Sequence, residues 1–477
     1  MLGSRAGRGA LALLVLCAFA VGIWVGAAPG ATPGFFVGFD DDLAKQVGSQ
    51  ATGPMRQLGA RAVRVTLQWS PGETALTSGD AAGLDRAVGA ASGLRVLLTV
   101  YGTSGAAAPV TATERSQYCS YVSSALARES AIRDVIVWNE PNKNQFWSPQ
   151  IASGSTPAAP AAYEALLATC YDTLHKAFPS VDVLGFALAH TGSDNASSTS
   201  PGAFIRGVGT AYRASGRGAR ILDTVAYHPY PLTSSEPPGQ QHIGSTTIGE
   251  GDWNKLMYNL WQAFNGTAQP IPGQSDVTIW YSEWGVQSAI PAAKASLYTG
   301  TENVPVVSEA DQAAQVTNAI DLAACQPYVH AFFNFLIADE PSLTGWQSAP
   351  LYVDRTPKSS YGAFASAISA ATQGSVNCSA LPGGTPSSDY LPPSTPASLT
   401  GSVAGSPPVV TLRWQPATDN ASPVSYRVYR GSALVATTTA TTWSATVAAH
   451  TTATYTVRAI DSAGNLGNAS NAVTVSS

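Results

Sequence analysis

Between Phe35 and about Thr372, short, nearly unbroken runs of Val, Ile, Leu and Phe alternate with longer stretches in which apolar residues return every three or four positions. A strand covered on both faces needs the first pattern, and a helix lying on a sheet needs the second. Eight strands are predicted: Phe35–Asp40, Ala62–Trp69, Leu94–Tyr101, Asp134–Asn139, Val183–Ala189, Thr224–Tyr230, Thr278–Glu283 and His330–Ile337. Helices are predicted between them, among others at Glu114–Arg128, Ala162–Phe178, Asn254–Phe264, Ala310–Ala324 and Ser359–Ala371. Such alternation builds a parallel sheet, and eight strand–helix units fit one (β/α)₈ TIM barrel over residues 34–378. A doubly wound sheet would alternate in the same way. No glycine-rich phosphate loop follows the first strand, however, so nucleotide binding is not supported.

The pattern changes after the barrel. Residues 379–397 are rich in Pro, Ser and Gly, lack apolar periodicity and read as a linker. Residues 398–477 return to strict alternation in VVTLRW, SYRVYR, ALVATTT, TYTVRAID and AVTVSS, separated by Asn, Asp, Gly and Pro turns. This segment resembles a fibronectin type III module, with Trp414, Tyr426 and Tyr455 at its core positions. The resemblance implies a small all-β, immunoglobulin-like sandwich acting as a spacer or adhesion unit.

Residues 1–33 hold Arg5 and Arg8, an apolar run from Ala10 to Ala28 and a Pro/Gly/Ala stretch. This is the layout of an export signal. The apolar run is long enough that an uncleaved membrane anchor, carrying an extracellular catalytic domain, is the alternative. Beyond Cys17, the chain has Cys119, Cys170, Cys325 and Cys378, an even set that suits an oxidising compartment. Four cysteines allow three pairings, and the predicted helix positions favour Cys119 with Cys170 and Cys325 with Cys378. Only 12% of residues are charged, the formal net charge is −5, and no dense Lys/Arg cluster occurs. A nucleic-acid partner is therefore not expected. No CxxC or His-rich spacing calls for a metal, no cofactor is expected, and a monomer is anticipated.

Two glutamates fall at the ends of predicted strands, where barrel enzymes carry their catalytic groups. Glu140 lies in DVIVWNEPN: Asn139 ends the fourth strand, Glu140 follows, and Pro141 stops the strand. Glu283 lies in VTIWYSEWG at the end of the seventh, with Gly285 opening the loop. The W-N-E-P-N and S-E-W-G motifs resemble clan A of the glycoside hydrolases, most nearly families five and thirty-nine, and the likeness covers the whole predicted barrel. Arg64 in AVRVTLQW and the His228/Tyr230 pair in AYHPYP fall where that clan carries an arginine and a His-x-Tyr.

The resemblance implies two-step, retaining hydrolysis of a β-linked poly- or oligosaccharide, with Glu283 as nucleophile and Glu140 as acid/base. In such chemistry one carboxyl protonates the leaving oxygen while the other carboxylate attacks the anomeric carbon, which requires the two to stand ~5 Å apart. Arg64 and Tyr230 are expected to hold Glu283 ionised, and Asn139 and His228 to contact the sugar. Trp69, Tyr101, Trp147, Trp284 and Trp346 follow or end predicted strands and are expected to line a saccharide cleft. One departure stands out. The clan often has a tryptophan at the end of strand eight, whereas this strand reads HAFFNFLIADEP, with Asn334 and Phe335 near that position. Two other readings stay open: a non-catalytic carbohydrate-binding protein on the same scaffold, which the intact glutamate pair opposes, and a transglycosylase, in which a sugar hydroxyl replaces water.

Overall fold

The computed structural model describes residues 31–152, 157–421 and 423–477. The apolar run Ala10–Ala28 lies outside them, as do residues 153–156. Among the described residues, no helix is long and apolar enough to cross a membrane.

Eight parallel strands close into a barrel: β1 (Phe36–Asp40), β2 (Ala62–Trp69), β3 (Arg95–Gly102), β4 (Asp134–Val137), β5 (Asp182–Ala189), β6 (Thr224–His228), β7 (Ile279–Trp284) and β8 (Val329–Phe335). Their order around the barrel is their order in the chain, and β8 closes onto β1 with Asp40 opposite Phe335. The helices between them are α1 (Leu43–Val47), α2 (Ser49–Gln57), α3 (Ser78–Ala90), α4 (Ala112–Arg128), α5 (Ala159–Ala177), α6 (Pro201–Ser215), α7 (Trp253–Phe264), α8 (Glu309–Cys325) and α9 (Tyr361–Thr372). The first helical layer is split between α1 and α2 by Gly48, whose φ of 57° a residue with a Cβ adopts only under strain.

Side-chain parity sorts the barrel into an inside and an outside. Ala62, Leu97, Ile136, Leu184, Ala226, Trp280 and Phe333 fill the bore, while neighbours such as Val63, Leu98, Val135 and Tyr227 pack outward against the helices. Gly38 leaves room for the bore: a Cβ there would come within 2.5 Å of the Phe333 ring. Two residues further up β1, β2, β3 and β6, the inward positions become polar (Asp40, Arg64, Thr99 and His228), and these form the floor of the mouth.

Both expected disulfides are present. Cys119–Cys170 ties α4 to α5 with Cα atoms 5.1 Å apart, and Cys325–Cys378 ties the end of α8 to the segment after α9 with Cα atoms 5.6 Å apart.

The remaining strands form the sandwich: β9 (Ala397–Ala404), β10 (Val409–Gln415), β11 (Ser425–Arg430), β12 (Ala433–Thr438), β13 (Thr442–Thr446), β14 (Thr452–Ile460), β15 (Leu466–Ala469) and β16 (Val473–Ser476). One sheet is β13-β10-β9; the other is β12-β11-β14-β15, with β16 also on β14. Trp414, Tyr426 and Tyr455 are buried between them, as the resemblance implied. The sandwich touches the barrel at α7 and the preceding loop. Asn254 Nδ2 donates to Asn465 Oδ1 at 2.8 Å and Gln241 Nε2 donates to the Ala463 carbonyl at 3.1 Å, while Tyr390, in the segment before β9, meets the Trp253 ring edge to face at 6.4 Å.

Candidate active site

Arg64 is an inward residue of β2, one layer above Ala62, and is buried to 1% exposure. Its guanidinium reaches three other strands and the turn after β4. Nη1 lies 2.5 Å from Asp40 Oδ2 and 2.7 Å from Glu283 Oε2, Nη2 donates to Asn139 Oδ1 at 2.7 Å, and Nε donates to Thr99 Oγ1 at 2.8 Å. A fork of fixed donors suits this work better than a point charge would, because it sets the relative positions of Glu283 and Asn139 at once.

Glu140 reaches the mouth by a route the sequence does not show. The fourth strand was expected to run through Asn139, but β4 ends at Val137, and Trp138 (φ 72°) and Glu140 (φ 39°) adopt left-handed backbone. These turns send Trp138 outward and bring Asn139 and Glu140 to the barrel top, where the Glu140 N–H donates to the Ala187 carbonyl at 3.0 Å. Backbone of this kind is costly for residues with side chains and concentrates at functional sites. Glu283 reaches the mouth in a similar way. The β7–β8 register shifts between Tyr281 and Trp284, so Glu283 enters the mouth while Trp284 turns to the helix layer.

The Tyr230 hydroxyl donates to Glu283 Oε1 at 2.8 Å, so each oxygen of this carboxylate has a protein donor. His228, fully buried on β6, places Nδ1 3.1 Å from Glu140 Oε1 and 3.6 Å from Glu283 Oε2. Burial would raise the Glu283 pKa, but the positive charges of His228 and Arg64, with the hydrogen bonds from Arg64 and Tyr230, outweigh it and hold the carboxyl below the ordinary glutamate range. Asp40 goes the other way: burial pushes it well above the usual carboxylate range against the pull of Arg64, and Glu283 adds to the rise. One donor atom each from Glu140, His228 and Glu283 lie within 4.8 Å of one another, as do carboxylate oxygens of Asp389, Asp419 and Asp461 in and beside the sandwich. The first trio has the makings of a metal site, but the oxygens of Glu283 already accept from Arg64 and Tyr230, which favours holding a bare carboxylate instead.

The aromatic expectations divide. Trp346, from the loop after β8, lines the mouth beside Tyr230 and Phe335, with ring centroids 5.2 and 5.4 Å away, and Tyr101 lines it on the other side. Trp69, Trp147 and Trp284 do not line it. All three are fully buried: Trp69 packs against Tyr118 and Trp138, Trp147 against Trp138 and Tyr163, and Trp284 against Phe332. A sugar cannot stack on a ring with no exposed face, so their part is to pack the layer between strands and helices.

Sequence reasoning missed Asp40 and Thr99, which hold Arg64, and Lys143 and His190, which line the mouth near Glu140. Burial, with the nearby charges of Lys143, His242 and His228, lowers the His190 pKa to about 3, so this ring is neutral at ordinary pH. Asp40 carried a readable signal, since it ends a predicted strand with the inward parity of Phe36 and Gly38.

No protein-family model matches the chain. Chitinase A1 of Niallia circulans is 41% identical over 119 residues, 25% of this chain and 16% of that protein. Chitinase Chi52 of Paenibacillus xylanexedens is 44% identical over 94 residues, 20% of this chain and 18% of that one. The matched stretches are their fibronectin type III-like regions, so the chain spans less than a fifth of these curated relatives. Among solved structures, a glucosidase from Croceicoccus marinus superposes with a TM-score of 0.49 at 12% identity, over 89% of this chain and 95% of that one. A β-glucuronidase from Bacteroides uniformis gives 0.41 at 11% identity, over 94% and 46%. Likenesses this loose carry no argument about chemistry, which rests on the geometry of the mouth.

Proposed function

We propose that this chain is a retaining glycoside hydrolase acting on β-linked saccharides, with Glu283 as nucleophile and Glu140 as acid/base. The observation that carries the reading is the pair itself: carboxylate oxygens of the two residues approach within 4.8 Å across the barrel mouth, and one member is held ionised. That spacing suits direct attack, whereas inversion needs roughly 6.5–9.5 Å between the carboxyls to admit a water.

In the first step a Glu283 oxygen bonds to the anomeric carbon as the glycosidic C–O bond breaks, and the Glu140 proton passes to the leaving oxygen. In the second, Glu140 takes a proton from water, the water oxygen bonds to the same carbon, and Glu283 is released. Asn139 Oδ1 is engaged by Arg64, which leaves the amide nitrogen to donate to the sugar 2-hydroxyl. Trp346, arriving from the loop rather than the strand, supplies the tryptophan face that the end of β8, with Phe335, lacks. The two disulfides and the layout of residues 1–33 support export of the protein, with a carbohydrate as its partner.

The test is covalent. A 2-fluoro glycoside with a good leaving group should label Glu283, to be read by peptide mass spectrometry, and the first-formed product should keep its anomeric configuration. Labelling elsewhere, or an inverted first product, would refute the assignment.

A further inference from the structure

The mouth consists of two hollows that meet at the carboxylates. One, of about 550 Å³, is lined by Asp40, Asp41, Asp42, Tyr101, Asp339 and Glu340. The other, of about 520 Å³, is lined by Glu140, Lys143, His190, Tyr230 and Trp346. Asn139, Phe146, Glu283 and Phe335 border both, so the two form one groove with the reacting pair at its waist. Glu140 lines only the second hollow. A proton donor stands beside the oxygen that departs, so the second hollow takes the leaving group and the first takes the glycone.

From this groove we infer that the glycone side seats two or more sugar units that are uncharged or bear an amine, and turns uronic acids away. The inference rests on the hydrolase reading above. Each hollow alone falls within the ~300–1,000 Å³ of pockets that enclose drug-sized ligands, more than one pyranose fills. An enzyme that trims single end units would have its glycone side walled off behind that unit.

Charge sets the second half of the inference. The glycone hollow has five acidic side chains besides Glu283; burial raises the pKa of Asp40, Asp41 and Asp339, whereas Asp42 and Glu340 reach the surface, and the one cation is Arg64. Every nitrogen of Arg64 is already bonded to the protein, and Lys45 and Lys358, which pair with Asp42 and Asp339, do not line the hollow. A sugar carboxylate would therefore meet like charge with no free cationic donor to receive it. Hydroxyls find acceptors throughout, and a protonated amine finds counter-charges. The one lysine of the groove, Lys143, lies on the leaving-group side, with its Nζ 3.0 Å from Thr191 Oγ1.

The experiment uses the full chain and 4-nitrophenyl β-glycosides: glucoside, mannoside, xyloside, free-amine glucosaminide and glucuronide, with β-1,4-linked di- and trisaccharide forms of the neutral ones. For the best neutral sugar, kcat/KM should rise by about tenfold or more from one unit to two or three, as binding away from the reacting bond is spent at it. The glucuronide should fall below the glucoside by roughly a hundredfold, the scale of a desolvated like-charge contact. Asp42→Asn with Glu340→Gln should narrow that gap. A monosaccharide glycoside cleaved as well as its trisaccharide would overturn the extended glycone side. A glucuronide within threefold of the glucoside, or a gap that the double variant leaves unchanged, would overturn the charge argument. If no member is turned over and no 2-fluoro sugar labels Glu283, the hydrolase reading itself fails.

Discussion

Each of the three nitrogens of Arg64 has a protein partner, and those partners come from β1, β3, β7 and the turn after β4. Removing this one side chain should therefore release the nucleophile and the buried Asp40 carboxyl together. In the acid limb of kcat/KM, which reports the free enzyme, Glu283 must lose its proton for activity to appear. Its pKa is held low in part by Arg64, so Arg64→Met should move that limb to higher pH; Tyr230→Phe, which removes a single hydrogen bond, should move it less. A pH–rate profile of a nitrophenyl glycoside checks both. The two glutamates should fail differently. Glu283→Ala should stop turnover, with azide restoring slow cleavage to a glycosyl azide of inverted configuration. Glu140→Ala should lose roughly 10²–10⁴-fold on unactivated substrates, yet still glycosylate Glu283 from an activated one, and azide should then release a retained product. Product configuration by NMR separates the two variants. At this scale the sequence was readable wherever parity was respected. Arg64, His228 and Asp40 share the inward parity of Ala62, Ala226 and Gly38, whereas Trp69 is seven residues from Ala62 and hence faces outward. The positive φ values at Trp138 and Glu140 and the register shift before Trp284 left no mark in composition or periodicity.

Elements were more legible than the turns joining them. The eight strands lie within two residues of their predicted bounds at either end, and the five named helices within three, because buried strands and amphipathic helices leave opposite apolar periods. The split of the first helical layer at Gly48 was not foreseen, since a single glycine within a weak pattern has many meanings. The loop after β8 carries Trp346 and depends on a buried pin. Lys358 Nζ sits 2.8 Å from Asp339, 2.9 Å from Ser288 Oγ and 3.0 Å from the Gln347 carbonyl, while Tyr298 donates to Asp339 at 2.8 Å. Lys358→Met leaves a buried carboxylate without its cation and should destabilise the chain by about 3–5 kcal/mol, to be measured by denaturant unfolding. The Cys119–Cys170 bridge closes a span of 51 residues, and replacing both cysteines by alanine should cost about 4 kcal/mol on the chain-entropy account, seen as a lower midpoint.

At the scale of the whole molecule, a barrel followed by a sandwich was readable from a change of period, from strand–helix alternation to short strands alone. The contact between the two was not, because Gln241, Asn254 and Asn465 are ordinary polar residues in any sequence pattern. Ending the chain near Pro382 retains all eight barrel strands and Cys378, so turnover of a nitrophenyl glycoside should stay near that of the full chain, while the melting temperature falls as Trp253 and Asn254 lose their partners. Assays beside thermal unfolding of the shortened chain check both halves of that expectation. The contact bears on aim as well as on stability. A cutting head on a slack cord sweeps a sphere and meets its target at every angle. Here the loop between β6 and α7 borders the second hollow at one end and is joined to the sandwich through Gln241 at the other, so a surface held by the sandwich would meet the groove at one bearing.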